Sequence, residues 1–166
     1  MATDLSYGFA PIVGGTPKIL VLGSLPGARS LETGEYYAFP QNAFWPIMAE
    51  LVGATGDYQQ RCECLIETGI AVWDVLAASR RPGSMDADID PGTAEANDFG
   101  GFFRRYPSID RIGFNGQTAT KLFDRLVLPQ LETLTIARVQ LPSTSPAYAA
   151  IAFDEKLRRW RDNLAL

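Results

Sequence analysis

Short apolar runs alternate along this chain with longer stretches in which apolar residues recur at helical spacing. The strongest run, Ile19 to Leu22, directly follows Lys18, and an unbroken run of this kind is typical of a central parallel strand covered on both faces. Other apolar runs predict strands at 70–75, 110–114 and 133–141. Apolar periodicity predicts helices at 43–52, 57–68, 93–105, 117–126 and 153–164.

Strands that alternate with helices predict the α/β class of fold. We expect one domain over residues 1–166, built as a three-layer sandwich in which helices cover both faces of a central, mainly parallel sheet. Two stretches interrupt the alternation. Residues 1–17 are broken by Pro and Gly, and residues 79–92 are polar and rich in Asp, so both are expected to be irregular.

The Asp-rich stretch raises the question of a metal. Asp86, Asp88 and Asp90 alternate as the ligands of a calcium loop do, but the Gly at the sixth position and the closing Glu of an EF-hand are missing. No metal site is therefore predicted, and no cofactor is expected.

Three turn-like segments each follow a predicted strand. They are Gly23 to Gly27, Asn115-Gly116, and Pro142 to Pro146. Ligands of parallel α/β sheets bind beyond the carboxyl ends of the strands, so the three segments are expected to meet at one edge of the sheet and to form one site.

The absence of histidine limits the chemistry of that site. With no His in the chain, a Ser-His-Asp triad, a histidine base and a histidine metal site are all excluded. Cys62 and Cys64 are too few for a four-thiolate iron–sulfur cluster. The chemistry must therefore use amides, hydroxyls, carboxylates and backbone groups.

The net charge is −4 and the sequence pI about 4.8, which argues against a nucleic-acid partner because phosphate contacts normally supply much of the affinity. Local charge can differ from the total, since arginines cluster at 80–81, 104–105 and 158–161. These clusters are either phosphate contacts or solvated helix faces. The chain has neither a basic, apolar leader pattern at its start nor a run of about 18 apolar residues, so a cytoplasmic protein is expected.

Several motifs together resemble one family. GSLPG at Gly23–Gly27 and YYAFPQNAFW at Tyr36–Trp45 are similar to motif 1 of the uracil-DNA glycosylase superfamily, and closest to its hypoxanthine-DNA glycosylase branch, which lies next to the mismatch-specific uracil/thymine-DNA glycosylases. The resemblance recurs in WDVL, GSMDADI, FNG and LPSTSPA, and so spans most of the chain. It implies a base-excision repair enzyme that hydrolyses the N-glycosidic bond of a deaminated base flipped out of DNA.

The resemblance implies roles for residues of motif 1. In the mismatch-specific relatives the turn reads G-x-N-P-G and its Asn positions the attacking water, but Leu25 stands in that place here. In the hypoxanthine branch the matching residue is Asn42, which we expect to be catalytic; the alternative is a helix N-cap. The backbone of Leu25, Pro26 and Gly27 is expected to bind the base.

Tyr37 and Asn115 are the other expected base contacts. Tyr37 falls where the relatives place their base-stacking aromatic, although a core tyrosine is the alternative. Asn115 can present a donor and an acceptor to uracil or hypoxanthine, although an Asn-Gly pair is also a common turn.

The segment Pro142, Ser143, Thr144, Ser145, Pro146 matches motif 2 and is expected to contact DNA phosphates; a plain Ser/Pro loop is the alternative. None of the lysines, Lys18, Lys121 and Lys156, lies in a motif, so a Schiff-base lyase step is not expected.

Leu25, Phe39 and Tyr148 depart from the family pattern, since the branch usually has His at the second position and Asn at the third. Leu25 and Phe39, together with the acidic pI, favour a second hypothesis, a catalytically weak lesion-binding module on the same fold. A phosphate-binding hydrolase is disfavoured because the turn lacks both G-x-G-x-x-G and a P-loop Lys. The expected partner is lesion-bearing DNA, bound by a monomer that has no membrane association.

Overall fold

A computed structural model describes residues 5–83 and 85–166; Met1 to Asp4 of the expected irregular start, and Ser84 of the GSMDADI motif, lie outside the described residues. The strands are β1 Leu5–Tyr7, β2 Ile19–Gly23, β3 Ile70–Asp74, β4 Leu76–Arg80, β5 Glu95–Ala96, β6 Arg111–Asn115 and β7 Ala137–Leu141. The α-helices are α1 Ala28–Thr33, α2 Phe44–Val52, α3 Tyr58–Glu67, α4 Phe99–Arg105, α5 Gln117–Leu122 and α6 Phe153–Leu164. Short 3₁₀ turns lie at Asp86–Asp88, Pro91–Thr93 and Leu128–Gln130, and a π-helical segment at Phe123–Val127.

The main sheet is parallel and has the strand order β3-β2-β6-β7. All five residues of β2 are buried, as the unbroken apolar run predicts. Leu20 and Leu22 contribute to one core cluster, whereas Ile19 and Val21 contribute to the other on the opposite face. A strand with this pattern needs cover on both sides.

Helices supply that cover in two layers. One layer packs α4 and α5 on the sheet through a cluster that includes Phe99, Phe102 and Ala119. The other layer packs α2, α3 and α6 through a cluster that includes Phe44, Leu65 and Trp160. The predicted α/β three-layer sandwich is confirmed.

A second, antiparallel sheet has the order β1-β4-β5 and was not predicted. Leu5 pairs with Arg80, and the Gly8 N–H donates to the Ala77 carbonyl at 2.8 Å. Residues 5–7 and 79–80 were expected to be irregular, and residues 95–96 helical. They are extended instead because each has a strand partner distant in the chain, and α4 starts only at Phe99, where the Asp98 side chain accepts from the Gly101 N–H.

Two further boundaries differ from expectation. Helix α5 ends at Leu122 and continues as the π-helical segment, so regular α-helix does not reach residue 126. Strand β7 begins only at Ala137, because its first ladder partner is Arg111, the first residue of β6. Residues 133–136 thus have no partner on that ladder.

Candidate active site

The turn after β2 is held by an arginine from a distant part of the chain. Arg81 is 5% exposed and donates to the Leu25 carbonyl at 3.4 Å and to the Pro26 carbonyl. The carbonyls of the turn are thereby occupied, while the N–H groups of Leu25 and Gly27 have no acceptor among the described residues. Pro26 has no N–H and contributes rigidity alone. This turn therefore offers two fixed backbone donors.

Three strand ends form a row on one face of the main sheet. Gly23 pairs with Asp74, and the neighbouring pair Leu22 and Phe114 places Asn115 on the other side of Gly23. Leu22 and Phe114 belong to the cluster on one face, so the residues that follow them point to the opposite face. We call Asp74, Gly23 and Asn115 the strand-end row.

Glycine is required in the middle of this row. A Cβ at Gly23 would stand 2.5 Å from Asp74 Oδ1 and 3.0 Å from the Tyr37 hydroxyl oxygen. Both polar side chains therefore use the space that the missing Cβ leaves free, and the row brings Tyr37 and Asp74 together.

Asn115 is held by the motif 2 segment. Its Nδ2 donates to Thr144 Oγ1 at 2.9 Å, and its Oδ1 accepts from the Thr144 N–H at 2.9 Å. The Thr144 carbonyl also accepts from the Ala43 N–H at 2.9 Å. Thr144 thus joins the end of β6, the start of α2 and the loop that carries it.

This geometry corrects the expectation for Thr144. The residue is 1% exposed and its hydroxyl is engaged by Asn115, so that hydroxyl faces the protein interior and not a phosphate. Asn115 is itself 8% exposed, and of its two amide hydrogens one is committed to Thr144.

Tyr37 lies over the strand-end row in an unusual conformation. Its φ is +54°, in the left-handed region that non-glycine residues rarely adopt. Its ring stacks on Phe44 with centroids 4.1 Å apart and an angle of 28°. The ring is half-buried, whereas the hydroxyl is fully buried and has no hydrogen-bond partner among the described residues. Burial, together with the nearby Asp74 carboxylate, raises the pKa of the phenol, and the Asn115 amide opposes this shift.

Asn42 lies at the start of α2 but is not the N-cap residue, which is Ala43. Its Oδ1 accepts from the Phe44 N–H at 3.0 Å. Asn42 therefore still supports the start of α2, but from the position before the N-cap. This bond fixes the carboxamide and leaves its NH₂ group without a partner among the described residues.

Tyr37 and Asn42 line one cavity of about 260 Å³, together with Phe39, Trp45 and Arg61 among others. The Arg61 guanidinium lies 4.6 Å from the centre of the Trp45 ring. Leu25, Pro26, Gly27 and Asn115 do not line this cavity. The structure therefore brings the two expected motif 1 side chains into one pocket, and it places the other residues expected to bind the base at the neighbouring strand ends and the turn after β2.

An acidic pair beside the turn was missed from the sequence. Asp74 is 4% exposed and ends β3, and Asp86 accepts from Ser24 Oγ at 2.6 Å. Burial and then the Asp86 charge raise the pKa of Asp74 to about 7, against the lowering effect of Arg81. The WDVL and GSMDADI motifs contain these acids, but nothing in their sequence shows that one of them is buried at the strand-end row.

A buried lysine supports the motif 2 segment. Lys156, 6% exposed, donates from Nζ to the Tyr148 carbonyl at 2.7 Å and lies 3.5 Å from the Ser145 carbonyl. Burial lowers the pKa of this ammonium group. Ser143 Oγ accepts from the Ser145 N–H at 3.2 Å, and the Pro142 carbonyl accepts from Trp160 Nε1 at 2.9 Å. The loop is thus held in place by its own hydrogen bonds and by the buried side chains of Lys156 and Trp160 in α6.

Within residues 5–83 and 85–166, no group of three or more Asp, Glu or Cys side chains is placed to hold a metal ion. No helix in that part of the chain has the length and apolar character needed to cross a membrane.

Fold and site together define an α/β enzyme with a small pocket beside the carboxyl ends of a parallel sheet. The chain belongs to the uracil DNA glycosylase superfamily, whose family model matches residues 11–164.

Two named proteins and one solved structure are also similar to this chain. A protein named hypoxanthine DNA glycosylase from Methanosarcina acetivorans is 34% identical over 146 residues, which cover 86% of this chain and 88% of the relative. A second protein of that name, from Methanosarcina barkeri, is 35% identical over 113 residues. These residues cover 66% of this chain and 70% of the relative. The solution NMR structure of a Methanosarcina acetivorans protein, whose proposed identity is uracil DNA glycosylase, superposes with a TM-score of 0.78 at 29% identity, covering 97% of this chain and 99% of that one. The predicted family is confirmed, and with it the enzyme class, a hydrolytic DNA glycosylase of base-excision repair.

Proposed function

We propose that this protein excises hypoxanthine, uracil or both from DNA and leaves an abasic site. One observation carries the proposal: Tyr37 and Asn42, which the family resemblance makes the base-stacking and water-positioning residues, line the same cavity. The similarity to two proteins named hypoxanthine DNA glycosylase supports the choice of base. Such an enzyme takes the target nucleotide out of the helix before it breaks the glycosidic bond.

Tyr37 supplies the platform for the flipped base. Phe44 stacks against the ring at 4.1 Å and fixes its plane, while Tyr37 remains only partly buried and so keeps some surface on which a base can stack. Stacking of a base on an aromatic side chain contributes about 1–3 kcal/mol and tolerates purines and pyrimidines alike.

The turn after β2 stabilises the departing base. As the glycosidic bond breaks, negative charge develops on the base, and the N–H groups of Leu25 and Gly27 can donate to it. Arg81 holds the carbonyls of the same turn, so the donors need no reorganisation during the reaction. A preorganised donor of this type lowers a barrier by about 3 kcal/mol.

Asn115 selects the base through the amide hydrogen that Thr144 leaves free. Uracil presents O4 beside N3–H, and hypoxanthine presents O6 beside N1–H in the same order. The amide hydrogen that remains free can therefore donate to O4 of uracil or to O6 of hypoxanthine, since each is a carbonyl oxygen. Cytosine has the reverse pattern and is disfavoured.

Asn42 positions the water that attacks the sugar. Its carboxamide is fixed by the bond to the Phe44 N–H, the residue lines the cavity, and its NH₂ group has no protein partner among the described residues. The reaction is hydrolytic: Lys156 is buried on backbone carbonyls, and Lys18 precedes the amino end of β2, opposite the site.

The segment 142–146 binds the DNA backbone, with Ser143 and Ser145 as polar contacts and Pro142 and Pro146 as rigid ends. Thr144 does not contact DNA itself but fixes this segment to the end of β6 through its hydrogen bond to Asn115. Contacts of this kind carry no sequence information, so binding should weaken with added salt to the same extent for any sequence around the lesion.

Release of free base from matched oligonucleotides tests the proposal. Duplexes that carry hypoxanthine or uracil should give alkali-sensitive strands and free base, and an undamaged duplex should give neither. The second candidate, a lesion-binding module, is favoured by Leu25, whose side chain has no carboxamide group to position water. Tight binding of a lesion duplex without release of base would select that candidate and reject the enzyme.

The proposal extends to a single domain over residues 1–166 that acts as a cytoplasmic monomer. Light scattering should then give the mass of one 18.2 kDa chain both alone and in excess over DNA.

A further inference from the structure

Asp74 is a buried carboxyl group that the proposed reaction does not yet use. It ends β3 beside Gly23, in the same row as Asn115 and beneath Tyr37. These neighbours are the groups to which the proposed function assigns the base. The Asp74 side chain thus lies at the carboxyl end of the sheet, in the space beside Gly23 that the Tyr37 hydroxyl also approaches.

The carboxyl group lacks the partners that a buried carboxylate normally has. Asp74 Oδ2 is fully buried and has no hydrogen bond among the described residues, and the same holds for the Tyr37 hydroxyl. Arg81 is near enough to affect the charge of Asp74, but it donates to the Leu25 and Pro26 carbonyls, and no ion pair joins it to Asp74 in the described part of the chain. An unpaired buried carboxylate is costly, so the neutral acid is the form that suits this position.

We propose that Asp74 is the general acid for purine release, and that its neutral carboxyl group donates a proton to a ring nitrogen of the leaving base. The proposal rests on the proposed glycosylase function. It adds a catalytic residue and a preference for hypoxanthine over uracil.

The proton balance is complete with water as the only co-reactant. The O–H bond of Asp74 breaks and an N–H bond forms on the base, while the glycosidic electron pair leaves with the base, which departs neutral. Water adds its oxygen to the sugar carbon and loses one proton to solvent. Asp74 regains a proton from solvent, so the net reaction consumes one water.

The chemistry of the two bases explains the preference. Hypoxanthine has lone pairs on N3 and N7 in addition to the edge that Asn115 can bind, whereas uracil in DNA offers an acid only its carbonyl oxygens. Protonation therefore assists departure of the purine much more than departure of the pyrimidine, which relies on the backbone donors of the turn.

The surroundings of Asp74 support the neutral form. The charged and titratable groups around it are Asp86, Arg81 and the adjacent pair Tyr36 and Tyr37. Burial and the Asp86 charge raise the pKa of Asp74 to about 7, so the acid form is present at neutral pH and lost above it.

Single-turnover excision measured from about pH 5.5 to about pH 9 tests the proposal. Wild-type protein should release hypoxanthine at a rate that falls about tenfold per pH unit above the pKa, and Asp74→Asn should be slower by about 100-fold at low pH with no pH dependence on this limb. Uracil release should change by less than about tenfold in the variant. An unchanged lesion-duplex affinity and a melting temperature no lower than that of wild type show that fold and binding survive in Asp74→Asn.

A second variant keeps the test decisive if Asp74→Asn does not fold. Asp86→Asn retains an oxygen for Ser24 but removes the charge that raises the pKa of Asp74, so the falling limb should move to lower pH. An unmoved limb, or an Asp74→Asn enzyme with the wild-type hypoxanthine profile, would overturn the role of Asp74 and leave the glycosylase intact. Wild-type protein that releases neither base at any pH would overturn both.

Discussion

Asn115 and Thr144 are joined by two hydrogen bonds of 2.9 Å, in which each residue both donates and accepts. The pair links the carboxyl end of β6 to the motif 2 segment and leaves the Asn115 carboxamide one permitted orientation. A side chain that recognises a base must not rotate between donor and acceptor faces, and this pair removes that freedom before DNA binds.

The Thr144 hydroxyl should therefore matter to both stability and excision. Thr144→Val keeps the shape but leaves the Asn115 amide with an unsatisfied hydrogen, so the free energy of unfolding should fall by about 1–3 kcal/mol. Urea denaturation and single-turnover excision measure the two effects. Thr144→Ser, which keeps the hydroxyl, is the matched control, and equal losses in both variants would contradict the role of the hydroxyl.

Asn42 should be needed for catalysis more than for folding. Asn42→Ala should lower single-turnover excision by about 100-fold or more, since it removes the group that positions water. Asn42→Ser keeps an acceptor within reach of the Phe44 N–H and should hold the start of α2, yet it should lose activity too. A folded and fully active Asn42→Ala protein would transfer the catalytic role to another residue.

Lys156 should order the segment 142–146, which is proposed to bind DNA. Lys156→Met removes the donor to the Tyr148 carbonyl and should raise amide hydrogen exchange over residues 143–148 and weaken lesion-duplex binding. The exposed Lys121 offers a control with the same change in net charge, because Lys121→Met alters no contact of this loop. If both variants weaken binding equally, the effect of Lys156 is one of total charge.

Asp74 should make wild-type stability decrease as the pH rises. Its folded pKa of about 7 lies above the ordinary value of 3.8 for this carboxyl group, so the folded protein holds this proton more tightly than the unfolded chain does. Stability from this group is complete below about pH 4 and is lost as the pH rises through about 7. Relative to wild type, Asp74→Asn should gain up to about 4 kcal/mol between about pH 4 and about pH 8. Chemical denaturation at both pH values measures the difference, and a constant difference would show that Asp74 is not protonated preferentially in the fold.

The parallel core could be predicted from the sequence because its signals are local. The apolar run at Ile19 to Leu22 shows a strand buried on both faces, and the rule for carboxyl ends brings three turns together. The antiparallel sheet could not be predicted in the same way. Its strands have two to five residues of mixed polarity, and their extended form depends on partners far along the chain.

The same distinction applies to the residues of the site: those in a local motif could be predicted, and those whose burial depends on distant partners could not. Tyr37 and Asn42 were found from a motif, and the structure places both in one cavity. Asp74, Arg81 and Lys156 were not found, because a charged residue gives no local sign that it will be buried. The hydroxyl of Thr144 is visible in the sequence, but its inward direction depends on Asn115, which lies 29 positions away.

The crowding over Gly23 makes two positions of the chain mutationally dependent on each other. An alanine methyl at position 23 would stand 2.5 Å from Asp74 Oδ1; a glycine at position 74 would remove that contact and leave the one with the Tyr37 hydroxyl oxygen at 3.0 Å. Gly23→Ala should therefore be more harmful in the present background than after Asp74→Gly. The effect of a substitution at position 23 depends on the residue at position 74, so the glycine stays constrained for as long as the chain keeps the acid.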